Sequence, residues 1–495
     1  MTLPVLQDNG PRLVTTAPGW ATKVQRAWAE QPITARVRIL KAFRHGMSHR
    51  ADAIVKAITA EHRTPADVRV SEILPLLAAC EHLEKNAARI LAGRQLGAWG
   101  RPFWLGGVHS EVQRVPLGCV LVIGPSNYPL FLPGVQVLQA LAAGNAVCWK
   151  PGRGGAEVAR LFELEMAEAG LPPELLRVTD DSLETGRAVV AAGADKVFFT
   201  GSASAGRAVM RQLADAGTPS VMELSGCSSV IVMPGSDLAR VTAAVVFGTR
   251  LNGSATCMAP RRILVMGDTK ARRDALVRRL QDALATVDPV RLSDAAATQL
   301  RELTTEARTQ GATLLGELSR EQKPILLVNA RPSMRIAQTD IFAPVLSVID
   351  VTDDEDVAAA ERLCPLALTV SIFGDEQKAR RLARDIAVGT VVINDVIVPT
   401  ADPRLPFGGR RASGFGVTRG AEGLLEMTAI RNVIARRGDG QRQYEETGES
   451  HTRLFDGLIL AGHAGTWRQR WRGFKQMVQV AGTMKPKKRE QHDGE

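Results

Sequence analysis

The spacing of apolar positions changes several times along the chain. Over residues 20–96 they recur at helical intervals, as in VRILKAFRHGM and SEILPLLAACEHL, which predicts a helical opening. RPFWLGGVHSEVQRVPLG then sets aromatic and β-branched residues around Gly106-Gly107 and predicts a β-hairpin. Next, CVLVIGP reads as a short buried strand and residues 130–143 as an apolar helix. NAVCWKPG follows as a second strand, with another helix running to Gly170. KVFFTGSASAGRAVM adds one more strand-to-helix junction. Wholly apolar strands alternating with helices imply a parallel sheet covered on both faces. A second α/β region spans residues 223–394, with strands in SSVIVM, RRILVM and GTVVIN.

Near the end the pattern changes in kind. Residues 436–452, RRGDGQRQYEETGESHT, are polar and turn-rich and read as a linker. Trp467, Trp471, Phe474 and Val478 then share one helical face, while Arg468, Arg470, Arg472 and Lys475 occupy the others. Such a basic amphipathic helix suits a membrane interface, aromatic face down and cations on anionic head groups. It suits equally a terminal helix docked on its own protein or on a second subunit.

Composition narrows the class. A chain of 495 residues implies two or more domains around a large interior. With 45% apolar and 23% charged residues it is neither disordered nor a membrane bundle. The first twenty residues lack a basic start followed by an apolar run, so no secretory leader is expected, and no stretch reaches membrane-spanning length. Cys80, Cys119, Cys148, Cys227, Cys257 and Cys364 form no CxxC pairs, which argues against bound metal or a disulfide framework and for the cytoplasm. The net charge is +10, and from residue 450 onward nine Lys/Arg stand against four Asp/Glu. This concentration points to a tail for an acidic surface, not to a nucleic-acid-binding body.

Four places carry candidate chemistry. At FTGSASAG, Gly201, Ser202 and Gly206 lie where a strand feeds a helix, a natural anion site, though a tight turn explains the glycines as well. Asn127 follows an apolar strand, where its amide is available to an oxyanion or simply makes a turn. Cys257 sits among the small residues of LNGSATCMAPRR, either an inert buried thiol or a nucleophile with room for substrate. Glu223 in VMELSG ends an apolar strand, either solvated or partly buried as a general base.

Taken in order, the segments VPLGCVLVIGPSNYPLFLP, AAGNAVCWKPG, FFTGSASAG, MELSG, NGSATCMAPRR, DIFAPV and LPFGGRRASGFG resemble the aldehyde dehydrogenase superfamily over residues 20–433. The short stretch before the first helices is most like its class 3, fatty-aldehyde branch. The resemblance implies a Rossmann-like cofactor domain (residues 1–97 and 117–222) and an α/β catalytic domain (223–400). A bridging hairpin (98–116), a return segment (401–435) and the linker with its basic tail (436–495) complete that division. It further implies that Cys257 attacks the aldehyde, that Asn127 and the Cys257 amide hold the oxyanion, and that Glu223 activates water against the thioester. Lys150 would then bind the adenosine ribose of NAD or NADP, Gly201, Ser202 and Gly206 the pyrophosphate, and Phe342 the nicotinamide end. A homodimer is expected, with the tail open either to peripheral membrane contact or to docking on protein.

Several positions depart from the family pattern. Ser254-Ala255 replace Gly-Gln, Asp340 replaces the Glu that grips the nicotinamide ribose, Ser225 replaces a Gly, and Ser126 replaces a Trp. Arg153 replaces a Glu that binds both ribose hydroxyls, which favours a 2′-phosphate and hence NADP. The leading expectation is oxidation of an apolar, long-chain or aromatic aldehyde to its acid. One rival is an acylating or reductive enzyme that forms the same thioester. Another, suggested by Asp340 and Ser254-Ala255, is an impaired member acting as a scaffold.

Overall fold

The computed structural model describes residues 22–58, 62–267, 269–437 and 446–483. Two units are distinct: residues 1–95 with 111–433, and residues 96–110 with 434–495.

In the first unit, the strands Cys119–Ile123 and Ala146–Lys150 are buried at every position, and Lys196–Thr200 at all but its first. Strands without a solvent face need helices on both sides, which the βα alternation supplies. The six-stranded sheet runs in the order Gly414–Phe415, Ser220–Glu223, Lys196–Thr200, Cys119–Ile123, Ala146–Lys150, Leu176–Val178. From Cys119–Ile123 the chain winds outward to one side, then returns to Lys196–Thr200 on the other. In parallel sheets, ligands gather at such a reversal, beyond the carboxyl ends of the strands.

The short Gly414–Phe415 strand runs antiparallel to Met222 and Glu223. Gly414 has φ +108°, and a β-carbon there would lie 1.8 Å from the Met222 carbonyl oxygen. Glycine is therefore required for the return segment to close on the Glu223 strand. A second, seven-stranded sheet has the order Thr313–Leu315, Ile325–Val328, Val345–Val351, Pro260–Met266, Ser228–Val232, Thr369–Phe373, Thr390–Ile393. All its pairings are parallel except that of Thr313–Leu315 with Ile325–Val328. These two sheets give the α/β architecture expected from the alternating pattern.

Two local expectations need correction. Gly106-Gly107 do form a turn, with Gly107 at φ +78°, but no strand precedes them directly: Phe103–Leu105 is a single 3-10 turn, and Val108–Pro116 lies between Arg94–Leu96 and Thr428–Arg436 in a three-stranded sheet. Pro102 opens that turn by accepting the Leu105 amide at 2.9 Å, which takes the aromatic residues out of strand geometry. The linker is also shorter than its composition suggests, because residues 449–452 already belong to the helix Glu449–His463. Residues 438–445 lie outside the described residues.

In the second unit, Glu449–His463 packs against Trp467–Thr483. A β-carbon on Gly457 would come 2.8 Å from the Met477 amide nitrogen, and one on Gly473 2.5 Å from that of Ala461. Small residues thus let the two backbones touch, and the packing holds the helices rather than their intrinsic propensity.

Candidate active site

A cavity of about 320 Å³ opens at the reversal point of the six-stranded sheet. Its walls come from the segments after three strands: Pro125 to Asn127, Gly201 with Ser202, and Leu224 with Ser225; Leu132, Thr200, Glu223, Cys257, Asp340 and Phe342 complete it. Seven of the ten expected site residues meet here. Lys150, Arg153 and Gly206 do not line it.

Cys257 is half-buried, whereas the five other cysteines are buried. Its loop follows the helix Leu238–Arg250 and turns through three left-handed residues, Asn252 (φ 51°), Gly253 (φ 57°) and Ser254 (φ 64°). Asn and Gly tolerate this region; a serine there is strained unless its surroundings hold it. Asn252 Nδ2 donates to the Asn127 carbonyl at 2.8 Å, and Asn127 Nδ2 donates to the Ala255 carbonyl at 2.9 Å. Tyr128 and Thr256 share a hydroxyl hydrogen bond of 2.7 Å. The candidate oxyanion loop and nucleophile loop are thus sewn together.

Glu223 is the last residue of its strand and only 3% exposed. Thr418 donates its hydroxyl to Glu223 Oε2 at 3.2 Å, while Oε1 has no hydrogen-bond partner among the described residues. Burial raises its pKa, and the Arg419 charge and the Thr418 hydrogen bond pull it back. Burial likewise raises the Cys257 thiol; the negative charges of Glu223 and Asp340 add to this, and Arg419 opposes them. Arg419 is therefore a cation that favours the ionised forms of both groups. It is buried with φ +62°, donates Nη1 to the Thr400 carbonyl at 2.8 Å, and lies over the Phe407 ring at 4.4 Å. Nothing in the residue pattern around Val417 to Gly420 marked this arginine, since an isolated Arg ordinarily faces solvent.

A second group missed in the sequence supports Asn127. Arg63 and Glu72 form an ion pair at 2.8 Å whose side chains are 2% and 0% exposed. Glu72 Oε2 accepts the amides of Leu130 (3.2 Å) and Phe131 (2.7 Å), satisfying the start of the helix Phe131–Ala143. Arg63 donates to the Asn127 carbonyl at 3.3 Å and stacks over Tyr128. A buried pair of this kind holds a geometry even where its net stabilisation is small.

The cofactor candidates divide by position. Gly201 and Ser202 open the helix Ala203–Ala216, and Ser202 Oγ caps it by accepting the Ala205 amide at 3.2 Å. Helix start and cavity together fit an anionic pyrophosphate. Gly206 is a packing glycine, since a β-carbon would come 2.5 Å from Leu224 Cδ2. Lys150 is buried, with Nζ donating to the Asp181 carbonyl at 3.0 Å. Arg153 is exposed and lines a smaller neighbouring cavity of about 190 Å³, shared with Ser126, Asn127 and Phe342. Asp340 reaches the cavity wall but is paired with Arg261 at 3.3 Å. A larger cavity, about 450 Å³, lies at the edge strand Thr313–Leu315 and has no thiol in its walls. Among the described residues no group of three His, Cys, Asp or Glu is placed to hold a metal ion.

With this geometry in place, comparison with known proteins is informative. Residues 6–433 match the family model described as "Aldehyde dehydrogenase family". A 4,4'-diapolycopene aldehyde oxidase from a Methylomonas species is 32% identical over 82% of this chain and 79% of its own length. A probable coniferyl aldehyde dehydrogenase from Pseudomonas aeruginosa is 31% identical over 83% of this chain and 89% of its own. Among solved structures, the Mycobacterium tuberculosis aldehyde dehydrogenase complexed with NAD+ superposes with a TM-score of 0.75 at 27% identity, covering 83% of this chain and 87% of that one. The chain belongs to the aldehyde dehydrogenase family and is an NAD(P)-dependent aldehyde dehydrogenase.

Proposed function

We propose that this enzyme oxidises an apolar aldehyde to its carboxylic acid by covalent catalysis on Cys257. The observation that carries this reading is the half-buried Cys257 sharing one cavity with Glu223 and Asn127. The Cys257 thiolate adds to the aldehyde carbonyl carbon, and the carbonyl oxygen takes up the negative charge. Asn127 Nδ2 and the Cys257 amide stabilise that oxygen. A nicotinamide dinucleotide, when bound, supplies the hydride acceptor, with Gly201 and Ser202 holding its pyrophosphate, Lys150 its adenosine ribose and Phe342 the nicotinamide end. A thioester on Cys257 remains; Glu223 takes a proton from water, whose oxygen attacks the acyl carbon and releases the acid.

Apolar substrates are supported by Leu132 and Phe342 in the cavity wall and by the diapolycopene aldehyde and coniferyl aldehyde in the names of the two relatives. Arg153, exposed beside the second cavity, supports a preference for NADP's 2′-phosphate. The test is a product assay with long- and short-chain aldehydes and either dinucleotide. Acid should form without added coenzyme A, with lower KM for the long chain and for NADP. Acid formation that depends on coenzyme A would overturn the hydrolytic step.

A homodimer and cytoplasmic residence with peripheral membrane contact complete this reading. The edge strand Thr428–Arg436 is exposed along nearly its whole length, with Ile430 and Ile434 outward, and offers unpaired backbone to a second copy. In the second unit Trp467, Trp471, Phe474 and Val478 are all exposed, and the rings of Trp467, Trp471 and Phe474 stack in succession. No described helix is long and apolar enough to cross a membrane, so contact would lie in the interface. The full chain should co-sediment with vesicles containing phosphatidylserine. Trp467→Ser, Trp471→Ser and Phe474→Ser together should remove most of that binding; equal sedimentation of both proteins would exclude a membrane role for this face.

A further inference from the structure

Two of the positions at which the chain departs from the family pattern, Ser254 and Asp340, are far apart in sequence and meet at one side chain. Arg261 Nη1 donates to Ser254 Oγ at 2.7 Å, Nη2 donates to the Ser254 carbonyl at 2.7 Å, and Nε donates to Asp340 Oδ1 at 3.3 Å. The side chains of Arg261 and Asp340 are 2% and 4% exposed. Arg261 sits near the start of the strand Pro260–Met266, whose backbone is held between two parallel neighbours. Arg261 itself lies where the pairing with Ser228–Val232 shifts register, one residue before Arg262, and its planar guanidinium reaches two loops at once.

We propose that Arg261 is a positioning residue which clamps the Cys257 loop through Ser254 and, by engaging Asp340, commits that carboxylate to the loop rather than to the nicotinamide ribose. The proposal rests on Cys257 being the nucleophile. Its physical basis is the left-handed run that ends at Ser254, three residues before Cys257. A non-glycine residue persists in that conformation only when its surroundings over-determine it. The two 2.7 Å bonds from Arg261, to the side chain and the carbonyl of the same serine, do this.

The charge of Arg261 is in turn balanced by Asp340. Removing either partner strands the other away from water, so the pair acts as a unit. Gly226 packs so tightly on Cys257 that a β-carbon there would lie 2.3 Å from the Cys257 carbonyl oxygen. In this light Ser254 and Asp340 are compensating partners of Arg261, not independent losses. The shorter Asp stays with the guanidinium.

The test uses the full-length enzyme without added cofactor. The second-order rate of Cys257 alkylation by iodoacetamide is followed by mass spectrometry, alongside kcat and the KM for NAD. Arg261→Gln should slow alkylation and kcat by about tenfold or more, because small displacements of a reacting atom carry large rate costs. Arg261→Lys, with one point charge instead of a fork, should fall between Arg261→Gln and wild type. Because removing the Asp340 charge also lowers the Cys257 pKa, rates are compared per thiolate, read from absorbance at 240 nm; on that scale Asp340→Asn should lower alkylation in the same direction, and the double variant with Arg261→Gln should be no slower than Arg261→Gln alone. KM for NAD should change less than kcat in Asp340→Asn. Wild-type alkylation in Arg261→Gln, additive effects in the double variant, or a KM effect that dominates in Asp340→Asn would each overturn the proposal. Should Arg261→Gln fail to fold, Ser254→Ala, which removes one of the two bonds and leaves the charges in place, carries the test: slower alkylation supports the clamp and an unchanged rate rejects it. A wild-type enzyme that forms no thioester on Cys257 fails the proposed mechanism instead, a result the alkylation rates do not mimic.

Discussion

Cys257→Ala is expected to lower aldehyde-dependent NAD(P)H formation by ~10⁴-fold, the scale on which loss of a covalent nucleophile is felt. Ala removes the thiol and little else. The loop before it is held by Asn252, Ser254 and Thr256, none of which depends on the sulfur, so fold and cofactor affinity should persist. The measurement pairs steady-state turnover with dinucleotide binding by fluorescence. The five buried cysteines provide the contrast: none lines the cavity, and replacing Cys364 or Cys80 by Ser should leave the chemistry intact. Residual turnover within about tenfold of wild type in Cys257→Ala would mean that the thiol is not the attacking group.

The second large effect is at Glu223. Glu223→Gln keeps shape and burial but removes the base, so hydrolysis of the thioester should slow by about 10²–10⁴-fold while the first turnover still forms it. A burst of about one equivalent of NAD(P)H per site, followed by near-arrest, is the expected trace. Intact-protein mass spectrometry should show the acyl group on Cys257. Loss of the burst together with the steady rate would instead assign Glu223 to an earlier step.

The pH dependence follows from the same carboxyl. As the proposed base, Glu223 would act only when ionised, and burial raises its pKa above the ordinary carboxylate range. Turnover limited by hydrolysis should therefore rise with pH through that raised value, and this acid limb should vanish in Glu223→Gln. Arg419 moderates the shift by its charge, acting on Glu223 and Cys257 together.

The two sheets were legible in the sequence because each βα unit carries its own signal. A wholly apolar strand such as CVLVI or AVCWK, closed by a turn and followed by a helical stretch, specifies its burial locally. The expected site was legible for a related reason: Asn127, Gly201, Ser202 and Glu223 each follow or end such a strand, and strand ends on one edge of a parallel sheet converge. Where a signal depended on context the reading slipped. RPFWL has strand-like composition but turns at Pro102, and the polar run after residue 436 hides the start of a helix stabilised by packing on its neighbour.

By itself, then, the sequence determined the α/β class, the order of the strands along the chain, and the residue types able to do thiol chemistry at their edge. Tertiary structure alone decided which distant polar and charged partners they meet. Arg63 reaches Asn127 across 64 residues, Arg261 reaches Asp340 across 79, and Thr418 reaches Glu223 across 195. Local patterns record whether a residue is buried, because burial repeats with the period of its helix or strand. They do not record which buried partner it meets, because that depends on how separate elements pack. The electrostatics of Cys257 therefore emerge only from the folded chain.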